Sequence, residues 1–332
     1  MRLFVLPLLL LIELVVFVPY GGVHLTSWNV FADGFASYAS DIVSHATPLL
    51  ILALGMTLVL MTAGIDLSVG SMVALIACVM SLFEGGPLFW VTAVPLGLLL
   101  GLALGAFNGI VVSRLDVPPI ITTLGTLFFY RGLCNVVMHG RENSPFGSVP
   151  GYVWFGEMPG AAITAGVLLT AGGLYFWWSR WRQEILMIGG NRIAARYAAI
   201  DVPRRQLQVY SLMGVLAFVA ALCASARAGS VLASWQSGLE LRVIVAVVLG
   251  GTRVDGGHGS IAGSVFGVFL IAILEEGLRG MQQSELIHVF LGVLLVVGVW
   301  LNTHAAGGFR ASRKTGRRSV GGTAAPDGGA NV

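Results

Sequence analysis

The sequence predicts an all-α integral membrane protein of about ten transmembrane helices, with broken or short helices near 64–70 and 239–259. Three observations carry this expectation. Of 332 residues, 56% are apolar and only 11% are charged, less than half the roughly 25% of a soluble domain. The apolar residues fall in runs of bilayer length, and the positive residues cluster in alternate loops. With a mean hydropathy of +0.85, the chain has too little polar surface to clothe a water-soluble globule. A soluble enzyme, a nucleic-acid binder and a disordered scaffold are therefore excluded.

A hydrocarbon core of about 30 Å takes roughly 20 residues per helix. Runs of about that length lie at 3–20, 47–63, 67–83, 88–113, 119–138, 161–179, 207–227, 239–251, 260–278 and 286–302. The eighth is short, and only Gly64-Ile65-Asp66 separates the second from the third. Irregular backbone belongs at these two places, buried in protein or lining a wet cavity. The first run follows Arg2 as a signal peptide does, but it is long and no small-residue cleavage site follows Tyr20. Between the first two runs, Phe31, Phe35, Tyr38 and Ile42 recur at helical spacing, which predicts a short amphipathic helix on the outer interface. A transmembrane domain is expected over 1–304. The Gly/Ser/Arg-rich stretch 305–332 is expected to be a disordered cytoplasmic tail.

An even number of spans places both termini on one side. With the amino terminus inside, fourteen of the nineteen Lys and Arg residues fall in inner loops or the tail, as the positive-inside rule requires. Both termini and the loop 180–206 are thus expected on the cytoplasmic side of the membrane.

Gly97, Gly101, Gly105 and Gly109 share one face of the fourth span, and Gly259, Gly263 and Gly267 repeat the device in the ninth. Such faces let helices approach to backbone contact. Gly308 to Thr315 imitates a phosphate loop except that Arg313 stands at the second glycine, so the chain is not expected to bind ATP. Cys78, Cys134 and Cys223 lie in apolar runs without metal or disulfide spacing. No cofactor, metal or catalytic grouping is expected. Ionisable residues at membrane depth are each site candidates: Glu13, Asp66, Arg131, Glu240, Arg242, Glu275 and Glu276. Asp66 suits either a cap on the third span or a place in the translocation path. Arg131 suits snorkelling or pairing with a carboxylate.

Within 180–206, Asn191 is a fitting N-cap for two helical turns over 192–200. There Ile193, Tyr197 and Ile200 share one face, and Arg192 and Arg196 another. The pattern fits docking onto a protein or lying on lipid headgroups.

Four ordered stretches carry a resemblance. They are Gly55-Met56-Thr57-Leu58-Val59 with Gly64-Ile65-Asp66-Leu67-Ser68-Val69-Gly70-Ser71; Asn108-Gly109 with Pro119-Ile120-Ile121-Thr122-Thr123-Leu124-Gly125-Thr126 and Arg131-Gly132-Leu133; Ile188-Gly189-Gly190-Asn191 with Ala194-Ala195-Arg196; and Val247-Val248-Leu249-Gly250-Gly251-Thr252 with Gly256-Gly257 and Gly259-Ser260. Together they resemble the membrane permease subunit of bacterial ABC importers for ribose and related monosaccharides, which include autoinducer-2 permeases. Four positions depart from that pattern: Ile193 stands for a glutamate, Arg242 for an acidic residue, and Glu275 and Glu276 for paired asparagines.

The resemblance implies a non-enzymatic pore subunit that pairs with a second permease copy or paralogue. It also implies a cytoplasmic ATP-binding subunit as the energy source and a periplasmic solute-binding protein as the donor, with membrane lipid around it and no nucleic acid. It assigns coupling to Gly189, Gly190, Asn191, Ala194, Ala195 and Arg196. Asp66, Ser68, Asn108, Thr122, Thr123, Gly250 and Gly251 fall to the translocation path or the helix breaks. An ion-coupled secondary transporter is the alternative. It needs an ion or proton site in the membrane, for which Glu13, Asp66, Glu275 and Glu276 are the available groups.

Overall fold

The computed structural model describes the backbone of residues 2–21 and 28–300, and side chains within 7–19 and 34–300. Among the described residues there are helices and no strands, with one isolated bridge between Asn143 and Val231. The helices are α1 (Arg2–Phe17), α2 (Trp28–Met61), α3 (Val69–Met80), α4 (Phe89–Ser113), α5 (Pro119–Met138), α6 (Gly160–Trp178), α7 (Arg180–Gly190), α8 (Arg192–Tyr197), α9 (Val202–Ala228), α10 (Leu239–Leu249) and α11 (Ile261–Gly280). A twelfth, α12, covers Leu286–Trp300.

Six of these helices are long and apolar enough to cross a membrane, and α3, α12 and the Pro7–Phe17 part of α1 are shorter apolar helices. With the eleven-residue α10, ten apolar helices stand at the ten expected positions among the described residues. Both expected breaks are present: residues 62–68 and 250–260 are not helical. The tail at 305–332 and its imperfect phosphate loop lie outside the described residues.

Three boundaries differ from expectation. No separate interfacial helix precedes the second span; α2 runs unbroken from Trp28 through Pro48 to Met61. Tyr38, Ile42 and Ala46 are buried, so the apolar stripe before the span is in phase with the stripe inside it and the two fuse. The loop after the sixth span is also more ordered than expected. Residues 180–190 form α7, which buries Ile185 and Ile188 at adjacent-turn spacing, and α9 starts at Val202 instead of 207. Finally, α8 ends at Tyr197, because Ala199 takes a left-handed conformation (φ 59°). Ile200 leaves the helical face and packs with Ile188, Ala195 and Val202.

The core is built by glycine contact. A methyl group on Gly101 would lie 2.5 Å from the Gly214 carbonyl oxygen, and one on Gly105 would lie 2.8 Å from the Gly214 nitrogen. The four-residue glycine period therefore seats α4 on the backbone of α9. Gly250 meets Gly263 in the same way, at 2.5 Å, and locks α10 to α11. In lipid, where apolar burial between helices gains little, such close packing supplies the association. It also sets the polarity of the bundle. The C-terminal ends of α2, α4, α6 and α10 gather with the N-terminal ends of α3, α5, α9 and α11, alongside α7 and α8. Arg114, Arg180, Arg182, Arg192, Arg196, Arg204, Arg205 and Arg253 belong to this arginine-rich end.

Candidate functional site

At the arginine-rich end, α2 stops and α3 begins, and the crossing between them carries a buried polar chain. Asp66 is fully buried. Its Oδ1 accepts the Ser68 N–H at 2.9 Å and the Ser68 hydroxyl at 2.7 Å. The Ser68 Oγ accepts from Asn108 Nδ2 on α4 at 2.8 Å. The Tyr130 hydroxyl on α5 lies 3.3 Å from Asn108 Oδ1 and donates to Leu104 O at 3.1 Å. On the other side of the break, the Ile65 carbonyl accepts from Thr123 Oγ1 at 3.1 Å and from the Tyr210 hydroxyl at 3.4 Å. Five helices thus converge on seven residues of irregular chain, which is how such backbone is satisfied at membrane depth.

Asp66 does not cap α3. The N-cap is Ser68, which makes no side-chain cap bond, and Asp66 instead closes a turn onto Ser68 two residues ahead. Its Oδ2 is buried without a partner, as is Thr122 Oγ1. The break therefore brings Asp66, Ser68, Asn108 and Thr123 together. Gly250 and Gly251 stand apart from that chain, at the C-terminal end of α10, where Gly251 has φ 92°.

Next to the break lies the α7–α8 corner. Asn191 caps α8 as expected, its Oδ1 accepting from the Ile193 and Ala194 N–H groups at 3.0 Å each. Ile193 and Tyr197 project into the open, 67% and 90% exposed. Arg192 turns inward to Asp116 and Gln206, at 3.0 and 3.2 Å, while Arg196 stays exposed. The two arginines therefore do not form one basic face. Ala195 is buried beneath the corner, and Arg205 pairs with Glu184 to brace α7 against α9. Gly189 faces backbone on both sides: a methyl there would overlap Met61 O and lie 2.5 Å from the Gly257 nitrogen. The Gly257 N–H donates to Met61 O at 3.0 Å. The corner, the end of α2 and the loop before α11 therefore meet at backbone contact.

The remaining ionisable residues sit elsewhere. Among the described residues Arg131 has no carboxylate partner; its Nη1 donates to the Ala233 and Trp235 carbonyls at 2.8 and 2.7 Å. Among the described residues, Glu13 on α1 and Glu240 on α10 each hold a buried oxygen without a partner. Toward the opposite end, Arg242 reaches Glu275 at 3.4 Å, and Arg279 reaches Glu275 at 3.4 Å and Glu276 at 3.2 Å. The sequence singled out Arg242, Glu275 and Glu276 one by one. His45 and Arg227, which help complete this cluster, escaped it because they come from α2 and α9, distant in the chain, whereas Arg279 lies one turn beyond Glu275 on α11, at a spacing the sequence does show.

Comparison with known proteins agrees with this architecture. The chain is 34% identical over 254 residues to the ribose import permease protein of Escherichia coli strain K12, covering 74% of this chain and 79% of that one. It is 33% identical over 274 residues to an autoinducer 2 import system permease protein of Enterobacter sp. strain 638, covering 76% and 82%. Against a fructose import permease protein of Bifidobacterium longum strain NCC 2705 it is 33% identical over 282 residues, covering 82% and 79%. No solved structure matches. Residues 38–299 match the family model described as the permease component of the branched-chain amino acid transport system, and the chain belongs to that permease family.

Proposed function

We propose that this chain is the permease subunit of a sugar-type ABC importer, a multi-pass protein of the bacterial inner membrane with both termini and the arginine-rich end in the cytoplasm. It translocates a monosaccharide or a related small polar solute such as ribose, fructose or autoinducer-2. A separate ATP-binding subunit docks on Gly189, Gly190, Asn191, Ala194, Ala195 and Arg196. A solute-binding protein delivers at the opposite face, and a second permease copy or paralogue completes the pore. The chain itself hydrolyses nothing.

The observation that carries this reading is the backbone junction of Gly189, Met61 and Gly257. Load applied by a partner on the exposed corner passes directly into the end of α2, the Asp66 break and the α10–α11 loop, with no flexible side chain between to absorb it. Asp66, Ser68, Asn108, Thr122, Thr123, Gly250 and Gly251 then lie on, or hinge, the elements that must move. Both the proposed docking point and the two helix breaks are at one end, which is what a pore worked from outside itself needs.

The test is reconstitution. Purified chain should hydrolyse no ATP, and uptake of labelled ribose or fructose into vesicles should require the ATPase, ATP and binding protein. Uptake by the chain alone, driven by a proton gradient without ATP, would support the secondary transporter instead.

A further inference from the structure

Helices α6 and α9 both pack on α2, and between them runs a groove of about 430 Å³ with Trp181 of α7 in its wall. Its body is apolar: Leu54 and Leu58 come from α2, Leu168 and Ala171 from α6, and Leu212 and Leu216 from α9. Polar groups enter only toward the arginine-rich end, where Arg205, Gln208 and Tyr175 line it. From Arg205 to Leu216 the groove follows about eleven residues of α9, or about 16 Å at 1.5 Å each. Half of a hydrocarbon layer of about 30 Å is about 15 Å, so the groove is as deep as one leaflet. Spread over that length, its volume leaves a cross-section of about 27 Å². A helix about 10–12 Å across is too wide for such a slot, whereas a single extended hydrocarbon chain fits.

The mouth of the groove has the chemistry of a membrane surface. Tyr175, Trp177 and Trp178 close α6 and are 64%, 68% and 84% exposed, and such rings settle at headgroup level. Arg182 lies over the Trp177 ring, 4.8 Å from its centroid. Arg180 directly precedes Trp181, and Arg204 stands one turn before Gln208 on the same face of α9. With Arg205 these make four arginines against two acidic residues, Glu184 and Asp201. Glu184 pairs with Arg205, and Asp201 caps α9 by accepting the Arg204 N–H at 3.0 Å. Among the described residues, Arg180, Arg182 and Arg204 have no ion pair. Arg205 donates one N–H to Glu184 and one to Gln208, which leaves three of the five donors of a guanidinium open. A positive rim over an apolar slot one leaflet deep complements an anionic headgroup over an acyl chain.

We propose that this groove binds one anionic phospholipid of the inner leaflet, with an acyl chain along Leu58, Leu212 and Leu216 and its phosphate on Arg205 and the exposed arginines of the rim. The choice of leaflet rests on the cytoplasmic placement of the arginine-rich end proposed above. Because α7 lines the slot and leads into the corner at Gly189 to Asn191, a seated lipid braces that corner against α6 and α9.

The experiment uses the full chain, purified in detergent and stripped of lipid. It is titrated with dioleoyl phosphatidylglycerol, dioleoyl phosphatidylcholine or inorganic phosphate while the thermal unfolding midpoint and the mass of bound lipid are followed. Phosphatidylglycerol should bind and raise the midpoint, as a ligand of the folded state does. Phosphatidylcholine, with the same chains and no net charge, should need at least about tenfold more lipid, and phosphate should have no effect. Arg182→Gln combined with Arg204→Gln should raise the half-saturating phosphatidylglycerol concentration roughly thirtyfold, five- to sixfold for each surface arginine. Ala171→Trp fills the slot with an apolar ring and should abolish the response, and the smaller Ala171→Leu should weaken it. The lipid-free midpoint of each variant shows that it folds. Equal response to the two lipids overturns the headgroup assignment, and a full response to phosphate alone overturns the lipid. An unchanged response in both Ala171 variants overturns the site. Loss of dimer mass instead of bound lipid in those variants overturns it in favour of a second permease copy in the groove. No measurement uses ATP or sugar, so failure here leaves the importer reading standing, and failure of that reading leaves this site.

Discussion

Removing the carboxylate at the α2–α3 break should separate its structural role from any use of its charge. In Asp66→Leu, the Ser68 N–H and hydroxyl lose their acceptor together. Each buried unsatisfied donor costs about 1–3 kcal/mol, so the pair costs about 2–6 kcal/mol against a total stability of order 5–15 kcal/mol. The Ser68 hydroxyl also orients Asn108, and Asn108 neighbours Tyr130, so the damage spreads to α4 and α5. Asp66→Asn keeps an oxygen at the Oδ1 position and places its new amide where Oδ2 has no partner. The unpaired amide donors cost about 1–3 kcal/mol each, which removal of a buried charge offsets in part, so the net cost should stay below that of Leu. Membrane abundance and the thermal unfolding midpoint of detergent-purified protein report assembly, and ATP-dependent uptake reports function. Asn should assemble and transport nearly as wild type, while Leu should lose abundance and melt early. An Asn variant that assembles normally but is inactive would refute this reasoning and show that the charge itself handles solute or protons. A Leu variant as stable as wild type would refute the hydrogen-bond accounting.

Other outcomes follow from particular contacts. Gly101→Ala should lower the melting temperature, because its methyl would sit 2.5 Å from the Gly214 carbonyl and overpacking costs about 1–3 kcal/mol. Gly125→Ala on α5, with open space around it, should leave stability unchanged or raise it by up to about 1 kcal/mol. Arg131→Ala should free the 230–238 segment, costing about 1.5–3 kcal/mol per charged hydrogen bond lost; increased protease cleavage there measures it. A membrane-impermeant thiol reagent added outside should label Pro150→Cys and spare Arg196→Cys, and the reverse pattern would overturn the cytoplasmic assignment of the arginine-rich end.

Much of the architecture was legible because lipid leaves the chain few options. Apolar run length located every span, and the period of Gly97, Gly101, Gly105 and Gly109 announced a backbone-close partner before that partner, α9, was known. Asn191 was readable as a cap because capping is local. What could not be read depends on distant residues. Helix α7 looked like loop because its polar face hides the spacing of Ile185 and Ile188, whose burial is set by the main core and by Ala195 and Val202. Asp66 was rightly placed at a break, but which N–H groups it meets depends on how sharply residues 62–68 fold. The Arg242 cluster was visible only as isolated charges, since pairing across α2, α9, α10 and α11 is a property of the fold.

The length of α2 bears on how those charges are tolerated. Thirty-four helical residues at 1.5 Å each span about 51 Å, against a hydrocarbon layer of about 30 Å. About 20 Å of the helix, some fourteen residues, must therefore rise into the headgroup layer or beyond unless the helix lies strongly inclined. Met61 anchors the far end, so the surplus is the amino-terminal part up to Asp41, with His45 one turn below it. The ion pairs beside it thus sit at the wet rim of the bilayer, where a charge needs no transfer into hydrocarbon. At that rim one acidic, basic or amide side chain can stand in for another at small cost in folding, which the same substitution at the bilayer centre would not allow.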